Sequence, residues 1–373
     1  MSDKKSDAMK NNIYTHFKSL KDSRKDRKKL HALHDIISLV VIGIICSADS
    51  WDAIEEFGKA KKEFLSTFLT LENGIPSHDT ISRVFASIDP VKFEKCFISW
   101  VNSLKNNDIK REVIAIDGKT ICGSKDSFHN TKATHLVSAW ACNNKLVLGQ
   151  TKVDGKSNEI TAIPILLDLL DIQGSIITID AMGTQTEIAK LIIEKKADYI
   201  LALKGNQGTL QQEVESIFRV QKTDSQDVDI EKNRGRIETR KCEVIQDLQF
   251  LDGKEKWTGI KSIIKITSIR EIKEKKTTEI RLYISSLDAS AKDLNQYIRQ
   301  HWGVENSLHW TLDMTFNEDR QRKRDKNAAQ NFAQAQKIAL NLLKKEGTAK
   351  MSIRTKRLKA AWDNNFLLKI LGF

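Results

Sequence analysis

The sequence predicts an α/β protein: a mixed sheet flanked by helices, with a helical segment before it and a mostly β segment after its alternating strands and helices. Three observations carry this. Continuous apolar runs at 113–116, 175–179 and 199–203 have the length and character of strands buried on both faces. Two segments of alternating pattern, 134–142 and 146–153, are joined by Asn143-Asn144 and read as a hairpin. Helical patterns separate the later runs, and a meander followed by alternating strands and helices packs as a mixed sheet with helices on both sides.

In chain order, residues 12–100 are expected to be helical, with an apolar run at 36–46 and helical spacing over 52–71. The run is far short of the roughly 20 residues that cross a bilayer, so it reads as a buried helix. Gly74-Ile75-Pro76-Ser77 breaks the pattern, and Ser77 is placed to cap a new helix with Asp79 in its first turn. The expectation is helix, short turn, helix. The second helix offers His78, Asp79, Thr80, Ser82 and Arg83 at the end where a recognition helix meets DNA, although any capped surface helix has this appearance.

The run 113–116 ends at Asp117-Gly118-Lys119, and 175–179 ends at Asp180. Helices are expected over 158–170, with Pro164 as an interruption, and over 186–197 and 209–218. Residues 219–290 carry β-type patterning with turns at 233–235 and 252–253, and helical period returns over 293–312. The boundaries that follow are 1–105 for a helical, DNA-binding domain; 106–218 and 291–345 for two parts of a core; 219–290 for a β-rich insertion; and 346–373 for a basic tail.

Charge is distributed unevenly. The 61 Lys and Arg exceed the 49 Asp and Glu by 12, yet residues 1–30 hold ten cations against four anions and residues 320–373 hold fourteen against three. The middle is therefore slightly acidic. Basic ends suit a polyanion, because each cation meeting a phosphate releases counterions. The cluster Arg320, Arg322, Lys323 and Arg324 is the densest candidate. No strongly basic amphipathic helix points to a membrane partner. Five cysteines without a C-x-x-C pair, and a polar N-terminus, fit a reducing cytoplasm.

In the late helix, Leu294, Ile298, His301, Glu305, Leu308 and Leu312 step by four and three along one face. Glu305 would then lie within an apolar stripe, where an unpaired carboxylate costs several kcal/mol. Asp117 and Asp180 stand at the strand ends where sites form in open α/β sheets. Three such carboxylates suit Mg2+ and a two-metal phosphoryl transfer. Lys119 is near enough in sequence to meet a phosphate. His135, His301, His309, Trp302 and Trp310 read first as structural, and the turns at 157–159 and 204–206 lead into helix N-termini that can meet phosphate.

Seven ordered stretches, IPSHDTISRVF, AIDGKT, KSNEITAIP, ITIDAMGTQ, ADYILALKGNQ, NRGRIETR and HWGVENSLHWTLDMTFNED, resemble bacterial insertion-sequence DDE transposases of the H-repeat-associated group. The resemblance runs from about residue 13 to about residue 345. It implies an RNase H-like core with the insertion before its acidic helix and an N-terminal associated domain. It also implies cleavage and strand transfer with Mg2+, or Mn2+ in its place, at terminal inverted repeats. By motif, Asp117, Asp180 and Glu305 are the catalytic metal ligands. The implied partners are double-stranded DNA, both terminal repeats and target, and further copies of the chain in a homodimer or larger synaptic complex at the cytoplasmic nucleoid.

Two departures stand out. Ile121-Cys122 occupies the place where relatives usually put an apolar residue and Arg, and Ile298, His301 and Leu312 replace a Tyr, Arg and Lys signature around the Glu. Tyr297 and Arg299 are close by, leaving His301 and Arg299 as candidate DNA contacts. A repair or recombination nuclease of the same fold, and a non-catalytic DNA-binding remnant, are the other readings of this sequence.

Overall fold

The computed structural model describes residues 13–25, 29–106, 109, 111–129, 131–154, 158–233, 235–273 and 275–372. Much of the basic opening, Ser157 and Arg234 lie outside the described residues.

The N-terminal part is helical: α1 (Ile13–Phe17), α2 (Leu33–Ile45), α3 (Trp51–Ala60), α4 (Lys62–Leu65), α5 (His78–Ser87) and α6 (Pro90–Leu104). The apolar run forms α2 and is buried along almost its whole length. Ser77 caps α5 by accepting the Thr80 N–H at 3.3 Å. The short turn, however, is not observed. Ser66 and Thr67 turn their hydroxyls back onto the carbonyls of Lys62 and Phe64, local bonds that compete with helix continuation. Irregular chain over 66–77 then leads to α5.

The sheet is built from β1 (Val113–Ile121), β2 (Thr134–Ala141), β3 (Leu146–Lys152), β4 (Ile176–Ile179), β5 (Asp198–Leu203), β6 (Ser225–Asn233), β7 (Arg236–Ile245), β8 (Ser262–Ile272) and β9 (Lys275–Ser285). Helix α7 (Glu159–Leu169) connects β3 to β4, α8 (Thr186–Glu194) connects β4 to β5, and α9 (Gly208–Val220) connects β5 to β6. The order is β3-β2-β1-β4-β5-β9-β8-β7-β6. Strands β1, β4 and β5 are parallel, while β9 joins β5 antiparallel, so the β-rich segment extends the same sheet.

Strand β1 does not end at Asp117. Its parallel ladder with β4 closes at Ile116↔Ile179, but its antiparallel ladder with β2 continues to Ile121↔Thr134. The apolar run marked only the part that is paired and buried on both sides.

After the sheet come α10 (Ala291–His301), a wide turn of π-helix over Val304–His309, and α11 (Trp310–Phe316). Three further helices follow: α12 (Ala328–Lys345), α13 (Ile353–Trp362) and α14 (Asn364–Leu371). One face of the sheet shares a core with α10, through Val113, Ile176, Ile200, Leu294 and Ile298. On the other face, Ile177 and Leu201 join Leu166, Ile192 and Val214 of the connecting helices. Helix α12 ties the N-terminal helices to the sheet: Asn331 donates to the Phe85 carbonyl at 2.7 Å, and Asn341 donates to the Val147 carbonyl at 2.9 Å.

The basic segment expected as a tail over 346–373 is folded instead. Arg357 is 2% exposed and donates to the carbonyls of Ile44 and Thr315 and to Asp49. Lys356 donates to the Leu343 carbonyl at 2.9 Å. Carbonyls at helix C-termini lack partners within the helix and attract cations, so these two charges are spent inside the protein.

Candidate active site

Asp117 and Asp180 immediately follow the last parallel pair, Ile116↔Ile179, and so share one sheet edge. Asp180 closes the turn after β4, its Oδ1 accepting the N–H groups of Met182 at 3.2 Å and Gly183 at 3.4 Å. Asp117 Oδ2 lies 3.3 Å from His309 Nδ1. Burial would push the Asp117 carboxyl up, but the hydrogen bond and charge of His309, then the charge of His301, outweigh it and hold the group below its ordinary value.

Glu305 does not occupy the apolar stripe. The i→i+5 bonding of the π turn widens the helix, so the four-and-three stepping from Leu294 fails there. Val304 and Leu308 take the buried places, and Glu305 is exposed. Its carboxyl is nevertheless pushed up, first by partial desolvation and then by the negative charge of Asp117, with His309 and Arg281 offsetting only part.

Several expected DNA contacts are engaged elsewhere. Lys119 donates to Asp313 and to Glu318 Oε2, the latter at 2.6 Å, and stands 3.5 Å from Asp319; burial opposes its charge, but these anions raise its pKa. Arg299 pairs with Asp229 at 3.9 Å and with Glu231, pinning α10 to β6. His301 Nδ1 lies 2.9 Å from Thr178 Oγ1 on β4, and burial lowers its pKa despite both aspartates. Lys323 is 8% exposed. It donates to the Asp49 carbonyl at 3.1 Å and to Gln321, and sits over the rings of Phe332 and Trp51 at 3.6 and 4.9 Å; burial lowers its pKa to about 7. Its neighbours Arg320, Arg322 and Arg324 are exposed, as is Arg83 on α5.

The structure also brings in His135, which the sequence left as structural, and Glu159, which it offered only as part of a turn that can meet phosphate. Glu159 Oε1 is 2.7 Å from His135 Nε2, and His135 Nδ1 is 2.7 Å from Thr120 Oγ1. A Cβ on Gly118 would fall 2.0 Å from Glu159 Oε1, so the carboxylate rests on the β1 backbone beside Asp117. Burial raises the Glu159 pKa, with His135 opposing and the charges of Asp180 and Asp117 adding to it. The available sequence signals were the Gly directly after Asp117 and the Glu directly after a cap residue.

Next to Asp180 and Glu305 opens a cavity of about 740 Å3, lined also by Lys204, Lys265, Arg281 and Trp302. The Arg281 guanidinium lies 4.3 Å from the Trp302 ring, a cation–π contact.

Among the described residues, no three His, Cys, Asp or Glu side chains converge tightly enough to ligate an ion. The donor chemistry nonetheless fits a hard divalent cation, because the edge presents carboxylate oxygens. Burial raises both the Glu305 and Glu159 carboxyls, with the charge of Asp117 adding to the first and those of Asp180 and Asp117 to the second, and a bound cation would favour their ionised forms.

Residues 14–101 match the DDE_Tnp_1-associated family model, and residues 108–342 match the transposase DDE domain model. The chain is 42% identical to "H repeat-associated putative transposase YhhI" of Escherichia coli (strain K12), over 96% of this chain and 97% of that one. It is 44% identical to "Putative transposase YncI" of Escherichia coli O157:H7, over 94% of this chain and 92% of that one. A solved structure of the piggyBac transposase synaptic complex with hairpin DNA aligns with TM-score 0.46 at 11% identity, over 98% of this chain and 78% of that one, a likeness too slight to build on.

Proposed function

Because the chain belongs to the transposase DDE family, we propose that it binds the terminal inverted repeats of an insertion sequence, cuts there, and joins the freed ends to target DNA. One observation carries the assignment of residues: the parallel ladder ends at Ile116↔Ile179, so Asp117 and Asp180 follow it side by side.

In this reading Asp117, Asp180 and Glu305 hold divalent cations, Mg2+ or Mn2+. Such ions supply Lewis acidity to the attacking and leaving oxygens of an in-line phosphoryl transfer. His309 keeps Asp117 ionised and oriented, while the His301–Thr178 contact braces the end of β4. The exposed Arg320, Arg322 and Arg324, with Arg83 on the N-terminal helices, bind phosphates. The N-terminal domain, about residues 1–105, contributes DNA binding, and two or more copies act together on paired ends at the cytoplasmic nucleoid.

The test uses a duplex carrying the terminal repeat that flanks the gene. Asp117→Asn is expected to abolish divalent-dependent cleavage and leave binding intact; normal cutting by the variant overturns the assignment. A strand-transfer assay separates this activity from that of a repair nuclease, which would cut without joining.

A further inference from the structure

We infer that Glu159 is a fourth carboxylate of the cation site, reaching it through a notch in the sheet beyond the end of β4, where His135 and the bare backbone of Gly118 hold it in place. The inference rests on the reading of Asp117 and Asp180 as cation ligands.

Successive strand residues point to opposite faces. Val113 belongs to the core shared with α10, and Asp117, in register with it and close to His309, lies on that side. Gly118 therefore looks toward the opposite face, and Glu159 at the start of α7 meets it from there. In an unbroken sheet the two carboxylates would be separated by backbone. Here β4 stops at Ile179 while β1 runs on to Ile121, so the β4 side of β1 beyond Ile116 has no ladder partner from β4. That notch joins the two faces beside Asp117 and Asp180.

Two features fix Glu159 there. His135 stands opposite Thr120 in the β1–β2 register, bonds to its hydroxyl through Nδ1 and leaves Nε2 for Glu159. Gly118 clears the space, since any β-carbon would overlap Glu159 Oε1. Oε1 is thus committed to His135, while Oε2 has no hydrogen bond among the described residues and is the oxygen offered to a cation. A Glu in the first turn of a helix has a purely local role available, favourable interaction with the dipole, but that role needs neither a histidine partner nor a glycine beneath it.

The experiment titrates the full-length protein with Mn2+ alone, following free Mn2+ by electron paramagnetic resonance. Glu159→Gln is expected to weaken binding at least about tenfold, with folding checked by circular dichroism and divalent-free binding to duplex DNA unchanged. If Glu159→Gln binds Mn2+ as the wild type does while Asp117→Asn does not, Glu159 is no ligand and the aspartate reading stands. If Asp117→Asn also binds normally, or the wild type binds no Mn2+, the aspartate reading fails and Glu159 falls with it. Should Glu159→Gln not fold, His135→Gln, which leaves every carboxylate in place, is judged by weakened against unchanged affinity.

Discussion

Lys119 Nζ donates to Glu318 Oε2 at 2.6 Å, tying the strand that carries Asp117 to the turn that follows α11. Glu318 is 1% exposed, and Lys337 Nζ, 3.7 Å from its other oxygen, is its second cation. Removing one partner of a buried pair leaves charge uncompensated. Lys119→Met is therefore expected to destabilise the protein by about 3 kcal/mol in urea unfolding. The same variant should leave the salt dependence of DNA binding unchanged, which loss of a phosphate-binding lysine would not.

The cluster around residue 322 divides by burial. Replacing Arg320, Arg322 and Arg324 with Gln removes three exposed cations, and should flatten the log–log salt dependence of DNA affinity by roughly 0.9 for each phosphate that is no longer neutralised. Lys323→Met should not change that slope. Burial holds the Lys323 pKa at about 7, below its unfolded value, so below pH 7 the folded state carries the full cost of a buried charge. The Met variant is expected to equal or exceed wild-type stability at pH 6, measured by thermal unfolding.

Glu94 on α6 gives stability a second pH dependence. Burial raises its carboxyl to about 8 against the opposing Gln150 N–H bond and Lys337 charge. A carboxyl with a raised folded pKa makes the native state bind more protons than the unfolded chain, so stability falls as pH rises from about 4.5 to about 8. Glu94→Gln keeps an acceptor for Gln150 and should flatten this decline, the gap between variant and wild type widening up to pH 8. Parallel pH profiles would remove Glu94 as the cause.

Gly118→Ala places a methyl where Glu159 Oε1 now lies, 2.0 Å from the new carbon. The carboxylate must move and its bond to His135 must break. Divalent-dependent cleavage is expected to fall at least about tenfold while DNA binding without divalent ion persists. Unchanged cleavage would show that the position of Glu159 has no bearing on the reaction.

The order of strands and helices was legible because burial on both faces writes continuous apolar runs, as at 175–179, and a helix face writes spacing of three and four, as in α8. Those same runs pointed to Asp117 and Asp180, since each run stops where pairing on both sides stops. The stripe through Glu305 misled because the π turn changes the period, and its wide bonding has no pattern in a four-and-three count.

By itself the sequence determined most helices and the points where pairing on both sides of β1 and β4 ends, for both write a pattern over a few neighbouring residues. Tertiary structure decided which charges are free. Lys119 meets Glu318, Arg357 meets Ile44, and Glu159 meets His135 over Gly118. An exposed cation and one committed to a distant carbonyl or carboxylate look the same in a linear chain. They differ only once folding sets their solvation and partners, and it is those that fix whether a charge can meet DNA or a metal ion.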